Sequence, residues 1–190
     1  MIPSALEHVQ DIAGGNRQLA VFLDYDGTLT PIVSHPEKAL LSDSMRQAVQ
    51  ALDTHASVAI LSGRDLDDVR QRVNIGAIVY AGSHGFDIAG PRRLRKEMAT
   101  EFLSKLDMIE KELCKQLAGI PGARLERKRF SVAAHYRNVN ESDVPKVERA
   151  VSEVAARHRE LRKMHGKQVY ELLPDIDWDK GKAVLWLLET

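Results

Sequence analysis

Two aspartates separated by a single residue follow the first apolar run of the chain. Residues 19–23 are apolar, and the motif Asp24-Tyr25-Asp26-Gly27-Thr28-Leu29-Thr30 comes directly after them. The first carboxylate can attack phosphorus to form an aspartyl phosphate, and the second can protonate the leaving alkoxide and then deprotonate water. A calcium loop would need Glu at the twelfth position from Asp24, where His35 stands. A helix cap or an Asp-Gly turn remains as the alternative.

Attack by Asp24 on a phosphate dianion brings like charges together, so a cation has to accompany it. Mg2+ fits this requirement, because it takes oxygen ligands and is often held by one or two carboxylates together with phosphate. Mg2+ is therefore the predicted cofactor. The chain has 27 basic and 27 acidic residues, so local groups rather than a net charge must bind the phosphate.

Two further apolar runs also end in polar groups. Residues 58–61 lead into Ser62-Gly63-Arg64, and residues 77–81 lead into Gly82-Ser83-His84-Gly85. A Ser hydroxyl and backbone amides at a helix start form an anion site, although Ser-Gly-Arg alone is also an ordinary helix cap with a surface Arg. His84 is expected either to line the entrance to the site or to be hydrogen bonded within a tight turn.

Continuous apolar runs are typical of strands that are covered on both faces, as in a parallel sheet. Between them, residues 45–52 repeat apolar side chains at helical spacing, and acidic residues from Asp65 onward open a second helix. The β-α-β-α-β order predicts a doubly wound α/β sheet that binds ligands beyond the carboxyl ends of its strands. Asp24, Ser62 and Gly82 are all expected at that edge.

A second domain is predicted over residues 89–174, with residues 1–88 and 175–190 forming the first. Apolar residues from Met98 to Leu117 trace one face of a long helix, and two strand patterns, a helix and two more strand patterns follow. This α-β-β-α-β-β order is that of an antiparallel sheet with helices on one face. The last residues are predicted to form a helix that returns to the first domain.

The motifs resemble those of a known family. Asp-x-Asp-Gly-Thr-Leu after an apolar strand is similar to the first motif of haloacid dehalogenase-type phosphatases, and the run from Asp24 to Val33 resembles trehalose-6-phosphate phosphatases in particular. Residues 60–64, residues 80–85 and Asp179-Lys180-Gly181 resemble later motifs of that family. The resemblance implies a Rossmann-like parallel core with an inserted α+β cap domain, and hydrolysis of trehalose 6-phosphate to trehalose and phosphate in trehalose biosynthesis.

The resemblance also assigns roles to single residues. Asp24, Asp26 and Lys180 would be catalytic, and the Lys180 ammonium would neutralise Asp24 and the phosphate together. Ser62 and the amide of Gly63 would hold the phosphate with Lys180. Outside this pattern, Lys180 would be read as a solvated side chain in the first turn of a helix.

The resemblance implies that the second domain acts as a cap and selects the sugar. Glu126-Arg127-Lys128 and the segment from Ser131 to Arg137 resemble the cap signature of the family, and Lys167 and Glu171 match a later pair. Strand parity allows Glu126 and Lys128 to point to one face. Without the resemblance, the residues favour a solvated charged face, which is normal for such a sheet. The implied substrate-binding residues are Arg64, His84, Glu126, Lys128, Arg137, Lys167 and Glu171.

In this family an acidic motif follows the helix that begins near Lys180, and one of its Asp residues completes the magnesium site. The sequence ends at Thr190, before such a motif. The expected protein ligands of the metal are then the Asp24 carboxylate and the Asp26 backbone carbonyl. The first sheet is expected to be incomplete, and the 190-residue chain is expected to be a poor phosphatase.

Two other functions remain open: another sugar phosphatase of the superfamily, acting for example on sucrose phosphate, and a non-catalytic module that binds a sugar phosphate. The balanced charge argues against nucleic acid or membrane partners, and no protein partner is indicated. The single Cys114 excludes an internal disulfide framework. Because no signal pattern and no apolar run of roughly 20 residues is found, a soluble cytoplasmic protein is predicted.

Overall fold

Two β-sheets, one in each part of the chain, organise the structure. The computed structural model describes residues 4–8, 10–11, 14, 18–33 and 36–190, so the start of the predicted first domain at residue 1 lies outside the described residues. The first sheet has the strand order β1-β2-β3-β4-β5. Its strands are β1 (Ala20–Asp24), β2 (Ser57–Leu61), β3 (Val79–Gly82), β4 (Asp87–Ala89) and β5 (Arg95–Glu97).

The first three strands are parallel and in register, as the order of the apolar runs predicts. Asp24 pairs with Leu61, and Leu61 pairs with Ala81, so the carboxyl ends of the three strands lie side by side. Helices α1 (Asp43–Asp53) and α2 (Leu66–Val73) connect them. The apolar faces of both helices pack with the buried side chains of the strands, such as Ile60. The predicted α/β class is confirmed.

The first sheet continues past residue 88, where its end was predicted. β4 pairs antiparallel with β3, and β5 pairs antiparallel with β4. The chain therefore turns back along the sheet edge twice before the second domain begins. Since β5 ends at Glu97, we propose that the division between the domains falls at about Met98 rather than at residue 89.

The second sheet is antiparallel, with the order β6-β7-β9-β8. Its elements in chain order are α3 (Leu103–Leu117), β6 (Arg124–Lys128), β7 (Ser131–His135), α4 (Val144–Arg157), β8 (Leu161–Gly166) and β9 (Val169–Pro174). Both helices pack on one face of the sheet, where Leu106, Val151 and Leu172 are fully buried. The predicted order of elements is confirmed. The opposite face of β9 carries Glu171 toward the first domain.

The final helix, α5 (Lys180–Leu188), returns to the first sheet as predicted. Asp179 caps it by accepting a hydrogen bond from the Lys182 amide at 2.9 Å. Ala183 is fully buried against side chains of β2, β3 and β4. This packing brings the start of α5, and with it Lys180, to the carboxyl edge of the first sheet. No helix in the described part of the chain is long and apolar enough to cross a lipid bilayer.

Candidate active site

Asp24 and Lys180 form an ion pair at the end of β1. The Lys180 Nζ lies 2.9 Å from Asp24 Oδ1, which also accepts the Tyr25 amide at 2.9 Å. The two residues are 156 positions apart, so the pair depends on the return of α5 to the sheet. Among the described residues no donor reaches Asp24 Oδ2. The carboxylate side chain is half exposed, and this second oxygen can accept a further partner.

Arg64 holds the carboxylate of Asp26 by two hydrogen bonds. Its Nε and Nη2 lie 2.8 Å from Asp26 Oδ2 and Oδ1, and its Nη1 lies 3.0 Å from Asp68. Burial opposes the charge on Arg64, but these two carboxylates outweigh it and raise the pKa of the guanidinium. The resemblance points Arg64 at the sugar, whereas here it binds Asp26. Each Asp26 oxygen still has a lone pair for a substrate atom.

The loop after β2 meets the loop after β3 at the same edge. Ser62 is fully buried; its Oγ accepts the Arg64 amide at 3.1 Å, and its carbonyl accepts the His84 amide at 2.9 Å. The imidazole of His84 lies against Gly63, where any Cβ would come within 2.7 Å of Cε1. A side chain at position 63 would therefore have to displace the His84 ring, which covers one side of the loop.

Glu171 joins the second domain to this loop. Its Oε1 accepts hydrogen bonds from Lys128 Nζ at 3.1 Å and from Ser131 Oγ, and its Oε2 lies 3.4 Å from His84 Nε2. Lys128 also donates to the Gly63 carbonyl at 3.2 Å. Burial of Glu171 favours its neutral form, but the His84 hydrogen bond and the Lys128 charge prevail and lower its pKa to about 2. Lys128 and Glu171 therefore face residues 62–64, which we call the phosphate loop because the resemblance assigns phosphate binding to it.

Replacing Glu171 by Gln should make stability less dependent on pH in acid. The pKa of about 2 lies below the ordinary 4.5, so the folded state takes up the proton less readily than the unfolded state. The stabilisation from the charged carboxylate is complete above about pH 5 and is lost as the pH falls toward 2. Glu171→Gln should lower the melting temperature at pH 7 and flatten its decline below pH 5.

Thermal unfolding at several pH values measures this change. Glu153→Gln is the matched control, because Glu153 is exposed and its carboxylate makes no hydrogen bond to the described residues. A Glu171→Gln protein whose melting temperature declines as steeply as that of the unchanged protein would rule out the buried charge cluster.

The other predicted sugar contacts line a cleft between the domains. Glu126 accepts a hydrogen bond from His135 Nε2 at 2.7 Å, which together with the Lys128 charge lowers its pKa although burial opposes this. The cleft has a volume of about 410 Å³, within the range of small-molecule sites. Its lining includes Asp26, Gly63, Arg64, His84, Glu126, Lys128, Arg137, Lys167 and Glu171. Of the predicted site residues, Asp24, Ser62 and Lys180 are outside that lining.

Several residues at this site have partners that the sequence does not indicate, although Ser131 and His135 fall in the segment that resembles the cap signature. His135 holds Glu126, Ser131 holds Glu171, and Asp65 contacts both Ser83 and the backbone of Arg129. Each is a common polar residue whose partner comes from another element. Their roles follow from the tertiary contacts and not from a local pattern.

The donor atoms beside Asp24 and Asp26 suit a hard cation. Both residues offer oxygen, which Mg2+ prefers, and Mg2+ commonly binds through one or two carboxylates while water and phosphate complete its shell. No group of three or more His, Cys, Asp or Glu side chains with metal-binding geometry occurs in the described ranges. Asp24 and Asp26 alone would therefore supply only part of a Mg2+ shell, and other oxygen donors would complete it.

The chain is similar to known proteins both in sequence and in structure. The family model described as trehalose-phosphatase matches residues 22–190. A trehalose-phosphate phosphatase of Mycobacterium tuberculosis is 44% identical over 192 residues, which cover 99% of this chain and 49% of that protein. A solved trehalose-6-phosphate phosphatase related protein shares 25% identity with a TM-score of 0.79, over 88% of this chain and 72% of its own.

A more distant match concerns the fold alone. A haloacid dehalogenase-like hydrolase from Bacteroides thetaiotaomicron has a TM-score of 0.64 at 14% identity, over 91% of this chain and 77% of its own. The haloacid dehalogenase-type fold expected from the motifs is therefore confirmed. The chain spans about half the length of the curated relatives it matches.

Proposed function

This chain belongs to the trehalose-phosphatase family, and we propose that it hydrolyses trehalose 6-phosphate to trehalose and inorganic phosphate. The observation that carries the proposal is the meeting of Asp24, Asp26 and Lys180 at one edge of the first sheet. Asp26 opens directly into the cleft that the second domain covers. A phosphate at this edge would lie below a sugar held in the cleft.

The chemistry divides into two displacements at phosphorus. Ser62 and the Gly63 amide bind the phosphate, and Lys180 neutralises part of its charge. An oxygen of Asp24 attacks phosphorus, the bond from phosphorus to the sugar oxygen breaks, and Asp26 gives that oxygen a proton. Water, losing its proton to Asp26, then attacks the aspartyl phosphate and releases inorganic phosphate together with the Asp24 carboxylate.

We propose Mg2+ as the cofactor. When held by the Asp24 carboxylate and the Asp26 backbone carbonyl, it supplies positive charge that offsets the repulsion between the nucleophile and the phosphate. The open Oδ2 of Asp24 supports this assignment.

The second domain selects the sugar in this proposal. Glu126, Lys128, Arg137, Lys167 and Glu171 supply charged donors and acceptors to the cleft. A disaccharide offers many hydroxyl groups, and hydrogen bonds that involve a charged partner are the stronger ones. We place the protein in trehalose biosynthesis and in the cytoplasm, where a sugar phosphate is its small-molecule partner.

Phosphate release from a panel of esters tests the proposal. Trehalose 6-phosphate should give the highest kcat/KM when compared with sucrose 6-phosphate, glucose 6-phosphate and p-nitrophenyl phosphate, and a chelator should abolish the reaction until Mg2+ is restored. A higher value for sucrose 6-phosphate would establish a different sugar phosphatase. Calorimetric binding of trehalose 6-phosphate without release of phosphate would establish a non-catalytic binding module.

Lys128→Ala should separate binding of the sugar from the chemistry. Lys128 lines the cleft and donates hydrogen bonds to both Glu171 and the Gly63 carbonyl. Its loss should lower kcat/KM for trehalose 6-phosphate by roughly 10- to 150-fold, the value of one charged hydrogen bond, with a much smaller effect on p-nitrophenyl phosphate. Steady-state kinetics on both esters measure the difference.

The control for this comparison is Lys111→Ala, which removes an exposed Lys from α3. It should leave both substrates unaffected. If Lys128→Ala lowers kcat/KM equally for both esters, Lys128 acts in the chemistry or in folding and does not read the sugar.

A further inference from the structure

Asp65 stands at the cap position of α2 but does not cap it. Its backbone has φ −60° and ψ 149°, the extended conformation of a capping residue, yet its side chain makes no hydrogen bond to the helix. An Asp at this position normally accepts an amide from the second or third residue of its own helix. The Asp65 carboxylate is instead directed away from α2, toward two other elements.

Both contacts of the Asp65 carboxylate are made outside its helix. Oδ1 accepts the Ser83 hydroxyl at 2.7 Å, and the Arg129 amide lies 3.0 Å from Oδ1 and 2.9 Å from Oδ2. Ser83 follows β3, whereas Arg129 lies in the turn between β6 and β7 of the second domain. The carboxylate therefore joins the two domains through a charge-assisted hydrogen bond to a main-chain amide.

Three successive residues, the last of β6 and the two of the turn, dock on the first domain. Lys128 donates to the Gly63 carbonyl, Arg129 donates its amide to Asp65, and Phe130 packs on Phe86 with ring centroids 6.0 Å apart. Both phenylalanines are buried. Because Arg129 directly follows Lys128, the hydrogen bond from the Arg129 amide to Asp65 helps to fix Lys128 over the phosphate loop.

We propose that Asp65 is a positioning residue that docks the β6–β7 turn on the phosphate loop and so fixes Lys128 above it. Asp65 lies two positions after Gly63 in the chain. The phosphate loop and the contact between Asp65 and the Arg129 amide should therefore move together. When the turn leaves, the carboxylate can accept the free amides of the first turn of α2, as an ordinary capping residue does. The Asp65 carboxylate can therefore accept hydrogen bonds both when the turn is docked and when the turn has left.

Other contacts would keep the turn near the first domain after Asp65 is removed. The Arg129 guanidinium pairs with Glu97 at 2.5 Å and lies 3.6 Å from Asp87, and Phe130 stays buried against Phe86. Loss of Asp65 should therefore loosen the turn without unfolding the protein. Its consequence for turnover rests on the proposed function, but the docking itself does not.

Hydrogen exchange of the Arg129 amide measures the docking without any substrate. Asp65→Ala should speed its exchange about 10-fold or more, because a hydrogen bond to a charged acceptor is lost. Asp67→Ala is the matched control, because Asp67 is another acidic residue of the same helix turn, is exposed, and makes no side-chain hydrogen bond within the described ranges. The control should leave the exchange rate unchanged.

Kinetics supply a second readout. Asp65→Ala should lower kcat/KM for trehalose 6-phosphate about 10-fold or more and leave p-nitrophenyl phosphate within a few fold, while Asp65→Asn, which keeps one acceptor oxygen, should fall between. Asp65→Asn also replaces Asp65→Ala in the exchange measurement if the alanine variant does not fold. Unchanged exchange at Arg129, or equal acceleration in Asp67→Ala, would overturn the proposal. These exchange results hold even if trehalose 6-phosphate is not the substrate.

Discussion

In a protein that carries the acidic motif of the family after α5, replacing Asp24 by Asn is expected to lower turnover of trehalose 6-phosphate by about 10⁵-fold or more, the scale seen when a hydrolase loses its nucleophile. The neutral amide cannot attack phosphorus or form the acyl phosphate. Lys180 would keep its place at the start of α5 but would lose the charged partner at 2.9 Å. The rate should fall while the affinity for the substrate remains measurable.

The fold should survive this substitution. The Asp24 and Lys180 side chains are 50% and 36% exposed, and ion pairs of this kind contribute about 1 kcal/mol or less to stability. Phosphate release and thermal unfolding of the same preparation measure the two effects. Turnover near that of the unchanged protein would remove Asp24 as the nucleophile.

Replacing Asp26 by Asn should slow the reaction by about 10²- to 10⁴-fold for sugar phosphates, the usual contribution of general acid–base catalysis. A sugar alkoxide is a poor leaving group and needs the proton, whereas p-nitrophenolate leaves without one. The loss for p-nitrophenyl phosphate should therefore be much smaller in the first displacement. The rates of a single turnover on each ester measure this contrast.

The bidentate contact of Arg64 with Asp26 calls for one control. Arg64→Lys retains a positive charge near Asp26 but cannot hold both of its oxygens at once. If Asp26→Asn acts by releasing Arg64, then Arg64→Lys will lower the rate on each ester by as much as Asp26→Asn does. An equal loss for both esters in Asp26→Asn itself would count against proton transfer.

The sequence predicts the carboxyl edge of the first sheet well. Residues 19–23, 58–61 and 77–81 are short, continuously apolar and separated by helical patterns, which leaves a parallel arrangement as the natural solution. Once the strands are parallel, Asp24 and Ser62 must lie at one edge. The return of Lys180 to that edge follows from the apolar face of α5.

The β4–β5 hairpin was not predicted, and its physical reason is local. β5 consists of Arg95-Lys96-Glu97, whose charges show no apolar alternation. Two ion pairs stabilise it instead, because Arg95 pairs with Asp87 and Glu97. Strands of three residues with charged side chains give no periodic signal, so the sequence does not indicate that the first sheet continues to Glu97.

The partners of charged side chains were the least predictable part of the site. Asp65, Asp67 and Asp68 all read as acids that favour a helix start. In the structure Asp65 contacts the second domain, Asp68 contacts Arg64, and Asp67 is exposed. Which element lies within reach of each carboxylate is settled by packing between the domains, and this cannot be read from spacing.

The most direct test of the central claim is to find the phosphoryl group of trehalose 6-phosphate on Asp24. Protein mixed with trehalose 6-phosphate and Mg2+ would be quenched in acid during turnover, digested and analysed by mass spectrometry. We expect one added phosphoryl group on the peptide that contains Asp24, and none when Mg2+ is removed or when Asp24 is replaced by Asn. Steady release of phosphate with no phosphorylated Asp24, or with the phosphoryl group on another residue, would contradict the account.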